Sequence, residues 1–387
     1  MSYPFSDDQE ELRRTVRRFL TEKSPEAEVR RLMESAEGFD PAVWRQMAEQ
    51  LDLQGLTIPE RYGGAGHSYA ELVVVLEEMG RALLCAPYFS TVALAANLLL
   101  ATDDESAKRD FLPGIAAGRR IATVALTEHS GRWDADGVTL EATEAAPAPA
   151  TQAGGAEAAA ADGGWRLSGE KFYVPDGHVA DLVLVVARTP AGVSLFAVRR
   201  GAPGFAATPV PTLDQTRKLA RLRFDRTPAR LVGADGGGRP AVAEMLDLAA
   251  IALAAEQAGG AQRVLDMSVE YAKLRVQFGR PIGSFQAIKH KCADMLVEVE
   301  SARAAAYHAG WAAAEGDDEV PALASLAKSY CSEAYFHAAA ENIQIHGGIG
   351  YTWEHPAHLY FKRAKSSELM LGDGAYHREL LAQRIGI

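Results

Sequence analysis

The stretch beginning at Arg239, RPAVAEMLDLAAIALAAEQAGGAQRVLDMSVEYAKLRV, constrains this chain more than any other. It is rich in Ala and Leu, has no proline past its first turn, and reads as one helix despite Gly259 and Gly260. A helix of about 37 residues is roughly 55 Å long. Such a rod needs neighbours of similar length, and the following sequence supplies them. Helices are expected over Phe285 to Glu315, Val320 to Ile345 and about Ala357 to Met370, with short connections. Long antiparallel helices joined this way make a four-helix bundle.

The first ~120 residues are also helical in pattern. Ser6 is placed to cap a segment carrying Leu12, Val16, Phe19 and Leu20, with acidic residues in its first turn. Val43, Met47 and Leu51 recur at four-residue spacing, and Tyr69 to Leu84 and Val92 to Leu100 follow as apolar helices. Between them lies the loop TIPERYGGAGHS. After Gly118 the texture changes to β-branched runs, IATVALTE, DLVLVVAR, SLFAVRR, GFAATPV and LARLRFD, separated by Gly and Pro. The expected fold class is α+β. A helical domain covers 1–119, a β-barrel-like domain 120–232, and a four-helix bundle 233–387. Residues 144–164, an Ala, Gly and Pro tract, are expected to form a mobile loop.

Charge and cysteine content narrow the partners. Lys plus Arg number 40 against 51 Asp plus Glu, a formal charge of −11. A surface this acidic disfavours nucleic acid and anionic membranes, although a local arginine can still hold a phosphate. The most apolar stretch, Ala82 to Leu100, contains Pro87, Ser90, Thr91 and Asn97, so no membrane insertion is expected. Cys85, Cys292 and Cys331 have no metal-ligand spacing and cannot all pair, which fits a reducing compartment. The N-terminus MSYPFSDDQEELRR is too acidic and polar for a signal peptide, and a cytoplasmic protein is expected. Gly63-Gly64-Ala65-Gly66 has no preceding strand and is not a dinucleotide loop. His346, His355 and His358 lack a carboxylate arrangement suited to zinc, so no metal is expected.

Two C-terminal strings carry more information. RVQFGRPIGSFQAIKHKCADM, from Arg275 to Met295, and QIHGGIGYTWEHPAHLYFKRAK, from Gln344 to Lys365, resemble signatures of the acyl-CoA dehydrogenase family. PERYGGAGHS is similar to that family's N-terminal loop. The resemblance runs through the whole chain in order. It implies FAD as cofactor and an acyl thioester, acyl-CoA or carrier-bound, as substrate. It further implies an electron-transferring flavoprotein or other acceptor, and a homo-oligomer or a heterotetramer with a related subunit. By resemblance Arg275 meets the FAD pyrophosphate, Phe278 and Gln286 line the adenine side, and Gln344, Gly347 and Gly348 approach the nucleotide. In this family these residues usually serve the FAD seated in the adjacent subunit. Thr127 opens TEHSGRWD, and Tyr173 stands at a flavin-stacking tryptophan position in KFYVPDGHVADLVLVVAR. Pro175 replaces a threonine that meets flavin N5.

The family reaction removes the α-proton with a carboxylate while the β-hydrogen leaves as hydride to flavin N5. The usual base is a Glu in a turn after the fourth bundle helix, where this chain reads Leu369-Met370-Leu371-Gly372-Asp373-Gly374. One alignment makes Asp373 the base, and one shifted by two residues puts Leu371 there. An alternative base position on the long helix is Ala249, and the neighbouring CoA-side arginine is replaced by Ala250. Glu256, two turns further along the same face, is the second candidate base, because a carboxylate on so apolar a segment resists ionisation unless paired; the other reading makes it a structural partner of Gln257 or of an arginine across the bundle. The sequence therefore supports FAD-dependent α,β-dehydrogenation with Asp373 or Glu256 as base. The alternative is a partner subunit that completes a neighbour's FAD site without catalysis of its own.

Overall fold

The computed structural model describes residues 5–145 and 164–387. Most of the tract expected to form a mobile loop, 146–163, lies outside the described residues. The α+β class and the order of helical, β and helical parts are as expected.

The N-terminal helices start at local capping signals. Helix α1 (Asp7–Lys23) begins with a reciprocal capping box between Ser6 and Gln9. After α2 (Glu26–Glu34), α3 (Pro41–Leu51) is capped by Asp40 with proline in its first turn. Helix α4 (Tyr69–Arg81) carries a second capping box, Ser68 with Glu71. A π-helical segment, Phe89–Ala96, runs into α5 (Asn97–Leu100), and α6 (Glu105–Ala116) closes this part. Helices α2 and α6 carry weak sequence signals, because α2 is short and mostly polar and α6 contains Pro113 and Gly114, which oppose helix.

The β part closes on itself. Its strands are β1 (Ala122–Ala125), β2 (Glu141–Glu144), β3 (Gly164–Pro175), β4 (Leu182–Thr189), β5 (Gly192–Arg199), β6 (Phe205–Val210) and β7 (Leu219–Val232). Pairings β4–β2, β2–β3, β3–β7, β7–β5 and β5–β4 form a ring, so these five strands make a small barrel. Strand β1 adds in parallel to β4, and β6 adds to β7.

The long helix is continuous as α7 (Gly238–Leu274). It is followed by the two-residue strands β8 (Val276–Gln277) and β9 (Arg280–Pro281), then α8 (Gln286–Glu315), α9 (Val320–His346) and α10 (Ala357–Leu369). A fifth helix, α11 (Gly374–Arg384), adds to the expected four. The glycines that looked like weak points of α7 are contact points. A Cβ on Gly259 would lie 1.8 Å from the Glu77 carbonyl oxygen, and one on Gly80 would lie 1.9 Å from that of Glu256. Helices α4 and α7 thus cross backbone to backbone, which fixes Glu256 against the N-terminal part.

Among the described residues no helix is long and apolar enough to cross a membrane. Cys85, Cys292 and Cys331 are all free thiols.

Candidate functional site

The candidate residues fall into two separate groups. The first sits at one end of the bundle. Arg275 caps the C-terminus of α7 in extended conformation, and the chain turns back at Phe278 and Gly279, both with positive φ. The Phe278 ring is 92 % exposed and meets Phe285 edge-on, while Arg280 lies 4.1 Å above the Phe285 ring. Gln286 opens α8 and is exposed. Tyr271 on α7 stacks on His346 of α9 at 4.3 Å, which brings Arg275 and Gln344 to the same end. Gln344 is exposed and donates to the Tyr351 hydroxyl at 3.0 Å. Gly347 (φ 61, ψ −136) holds a backbone geometry suited to glycine, and open space surrounds the missing Cβ of Gly347 and Gly348. A cation, an amide side chain and uncovered backbone around open space suit a pyrophosphate and an adenine edge. The residues present fit this half of FAD.

The second group lies between the barrel and the helices. Tyr173, held at φ 55 and 46 % exposed, borders a mainly apolar cavity of about 510 Å³ with Trp133, Leu213, Asp214, Lys365 and Met370. Thr127 is not on that wall. Its hydroxyl is buried without a hydrogen-bond partner, beside the buried pair in which Lys171 donates to Glu128 at 2.7 Å.

The interior next to this cavity is filled by charge. One carboxylate oxygen of Glu256 accepts from both Arg217 and Arg363, the latter at 2.8 Å. Arg363 also donates to Asp214 at 2.9 Å and to the Thr216 hydroxyl at 2.7 Å. Burial opposes the charge on Arg363, but Asp214 and Glu256 more than offset it, so its pKa is raised. Arg217 lies over the Phe89 ring at 5.2 Å and contacts the Met370 sulfur at 3.3 Å. Asp176, which accepts from Ser90 at 2.7 Å, borders the small void beside this network, and burial of its carboxyl pushes the pKa up to about 6. That void measures only about 30 Å³, enough for one water and not for an acyl chain.

These contacts define the surroundings of both candidate bases. Glu256 is not a free carboxylate: it is the shared partner of two buried arginines, and a proton acceptor locked this way is poorly placed to take a proton. Asp373 is the N-cap of α11, exposed, with its carboxylate accepting from the Tyr376 amide at 2.9 Å. Leu371, buried and at φ 63, instead lines a cavity of about 180 Å³ with Trp133, Asp247 and Tyr376. Its loop is pinned by Lys328, whose buried ammonium donates to the Glu368 and Gly372 carbonyls at 3.1 and 3.0 Å. Of the two alignments of this turn, one sets a buried apolar side chain, Leu371, and the other an exposed capping carboxylate, Asp373, at the position in question.

Arg217, Arg363, Asp214 and Asp176 escaped the sequence reading. The one available signal was Glu256 itself, since a buried carboxylate demands a cation that local sequence does not identify. Among the described residues no cluster of His, Cys, Asp or Glu is arranged to hold a metal ion.

Comparison with known proteins agrees with this layout. Residues 6–119, 123–227 and 236–386 match the N-terminal, middle and C-terminal domain models of acyl-CoA dehydrogenase. Acyl-CoA dehydrogenase IpdE2 of Mycobacterium tuberculosis is 38% identical over 94% of this chain and 93% of its own length. The ChsE4-ChsE5 complex from M. tuberculosis contains a similar chain, with TM-score 0.86 and 29% identity over 100% of this chain and 99% of that one. Butyryl-CoA dehydrogenase from Megasphaera elsdenii superposes with TM-score 0.89 at 26% identity, covering 100% of both chains. With three domain models matched in order along nearly its whole length, the chain belongs to the acyl-CoA dehydrogenase family of FAD-dependent oxidoreductases.

Proposed function

We propose that this chain acts in the α,β-dehydrogenation of an acyl thioester, acyl-CoA or carrier-bound, as one subunit of a heteromeric acyl-CoA dehydrogenase. It holds the adenine and pyrophosphate side of an FAD seated in a related subunit, and that subunit brings the carboxylate base. The observation that carries this reading is the pairing of Glu256 with both Arg217 and Arg363, which occupies the one buried candidate base of this chain. The likeness to the ChsE4-ChsE5 complex supports it.

FAD, when bound, supplies a hydride acceptor. On this chain Arg275 neutralises the pyrophosphate, the Gln344 amide and the bare backbone at Gly347 and Gly348 offer polar contacts to the nucleotide, and Phe278 and Gln286 flank the adenine. Leu371 excludes water where a base would stand. An electron-transferring flavoprotein is the proposed acceptor.

The test compares the full chain purified alone with the chain co-expressed with a candidate acyl-CoA dehydrogenase subunit from the same organism. The proposal expects a colourless protein alone and one flavin per pair of chains in the complex. Arg275→Ala should weaken FAD binding to the complex by about 1.5–3 kcal/mol, the worth of a charged hydrogen bond. A chain that is yellow alone, and whose flavin is reduced by acyl-CoA until Glu256→Gln or Asp373→Asn abolishes it, would establish independent catalysis instead.

A further inference from the structure

A second cationic cluster lies on the barrel and shares no lining residue with the cavity beside Tyr173. A groove of about 590 Å³ runs between Phe111 of α6 and the turn after β5, lined by Arg199, Arg200 and Arg230. Ala197 on β5 pairs with Arg230 on β7, and Arg199 follows Ala197 by two residues, so Arg199 and Arg230 project from the same face of the sheet. Arg120, at the entry to β1, joins them from the α6 side. Its guanidinium and that of Arg230 lie 5.4 and 5.5 Å from the Phe111 ring centroid.

Arg120, Arg200 and Arg230 are anchored by hydrogen bonds. Arg120 donates to the Asp110 carbonyl at 2.9 Å, Arg200 to the Val179 carbonyl at 3.3 Å, and Arg230 to the Asp110 carboxylate at 2.5 Å and the Ser106 hydroxyl at 3.0 Å. Asp110 is thus committed to Arg230, and the nearby Asp181 carboxylate accepts from the Ile121 amide at 3.0 Å. Among the described residues Arg120, Arg199 and Arg200 have no carboxylate within ion-pair distance. Burial, and next the field of Arg199, lower the pKa of Arg120, and the opposing fields of Asp181 and Asp110 do not offset them.

We infer that this groove binds a phosphate-bearing small molecule, of the phosphomonoester or diphosphate class. Guanidinium forks match phosphate oxygens two at a time, and the volume is that of a small-ligand site. On a chain of net charge −11, a local excess of arginine also draws anions to itself rather than to the surrounding surface. The inference is independent of how the chain uses FAD.

The experiment is calorimetric titration of the full chain carrying Arg275→Ala, which silences the bundle end, at constant ionic strength. Inorganic pyrophosphate, ADP and 3′,5′-ADP are the probes. Saturable binding is expected, weakened at least about tenfold by Arg199→Ser and further by Arg199→Ser with Arg120→Gln, with circular dichroism unchanged. Tighter binding of 3′,5′-ADP than of ADP would support the inference and assign the ligand to a coenzyme A tail, and the reverse would support it with a nucleotide as source. No saturable binding of any probe up to about 10 mM, or equal affinity in the Arg199→Ser protein, overturns it.

Discussion

Replacing Glu256 with glutamine separates a structural carboxylate from a catalytic one. In the native protein a single oxygen of Glu256 serves Arg217 and Arg363, whose side chains are 8% and 4% exposed. Glutamine keeps an acceptor oxygen but removes its charge. Each bond then falls from the charged to the neutral range, a loss of about 1–1.5 kcal/mol apiece and about 2–3 kcal/mol together. The pH dependence follows from Asp176, whose carboxyl is pushed up to about 6 by burial, with the Glu256 charge a further raising influence. A carboxyl raised in the folded state stabilises the fold below its unfolded value, and that contribution is lost as pH rises through about 6. Without the Glu256 charge the raised value moves down. Asp176 then supplies a negative charge to the two arginines at neutral pH but supplies less of one in acid. The loss caused by Glu256→Gln should therefore be larger at pH 5 than at pH 7. Urea unfolding of both proteins at the two pH values, compared at equal m, measures it. A loss under about 1 kcal/mol at pH 5, or one that shrinks on acidification, would refute the reasoning.

Asp373→Ala should cost about 1 kcal/mol by removing the cap of α11, while flavin reduction in the assembled enzyme stays at the native rate in stopped flow. Gly259→Ala should destabilise by about 3 kcal/mol or more, seen as a lower urea midpoint, because its Cβ meets the Glu77 carbonyl at 1.8 Å. Burial, and then Lys328, push the His377 imidazole down to about 4. The stability this histidine contributes is present above its unfolded value near 6.5 and is lost as pH falls toward 4, by about 3 kcal/mol. His377→Gln should flatten the acid limb of the stability profile over that interval.

The parts of this protein that were readable from sequence are those set by neighbours in the chain. Ser6 with Gln9 and Ser68 with Glu71 close capping boxes across three residues, and the composition of α7 keeps it helical over its whole length. The turn at Phe278 and the bend at Gly347 are likewise local, so the bundle-end group was recognisable from two short strings. Strands β1, β4, β5, β6 and β7 were legible as β-branched runs, but the polar β2 was not, nor was the closure of the ring through β4 and β5, because pairing joins segments that periodicity treats alike. The two candidate bases mark the boundary. Asp373 had a local role, capping a helix that the sequence reading had not recognised. Glu256 had none: its partners lie 39 and 107 residues away, one on a barrel loop and one on α10. Local sequence placed a carboxylate on an apolar helix, and only the tertiary structure decided that two arginines would meet it, since a buried charge must be matched by whatever the fold brings within reach.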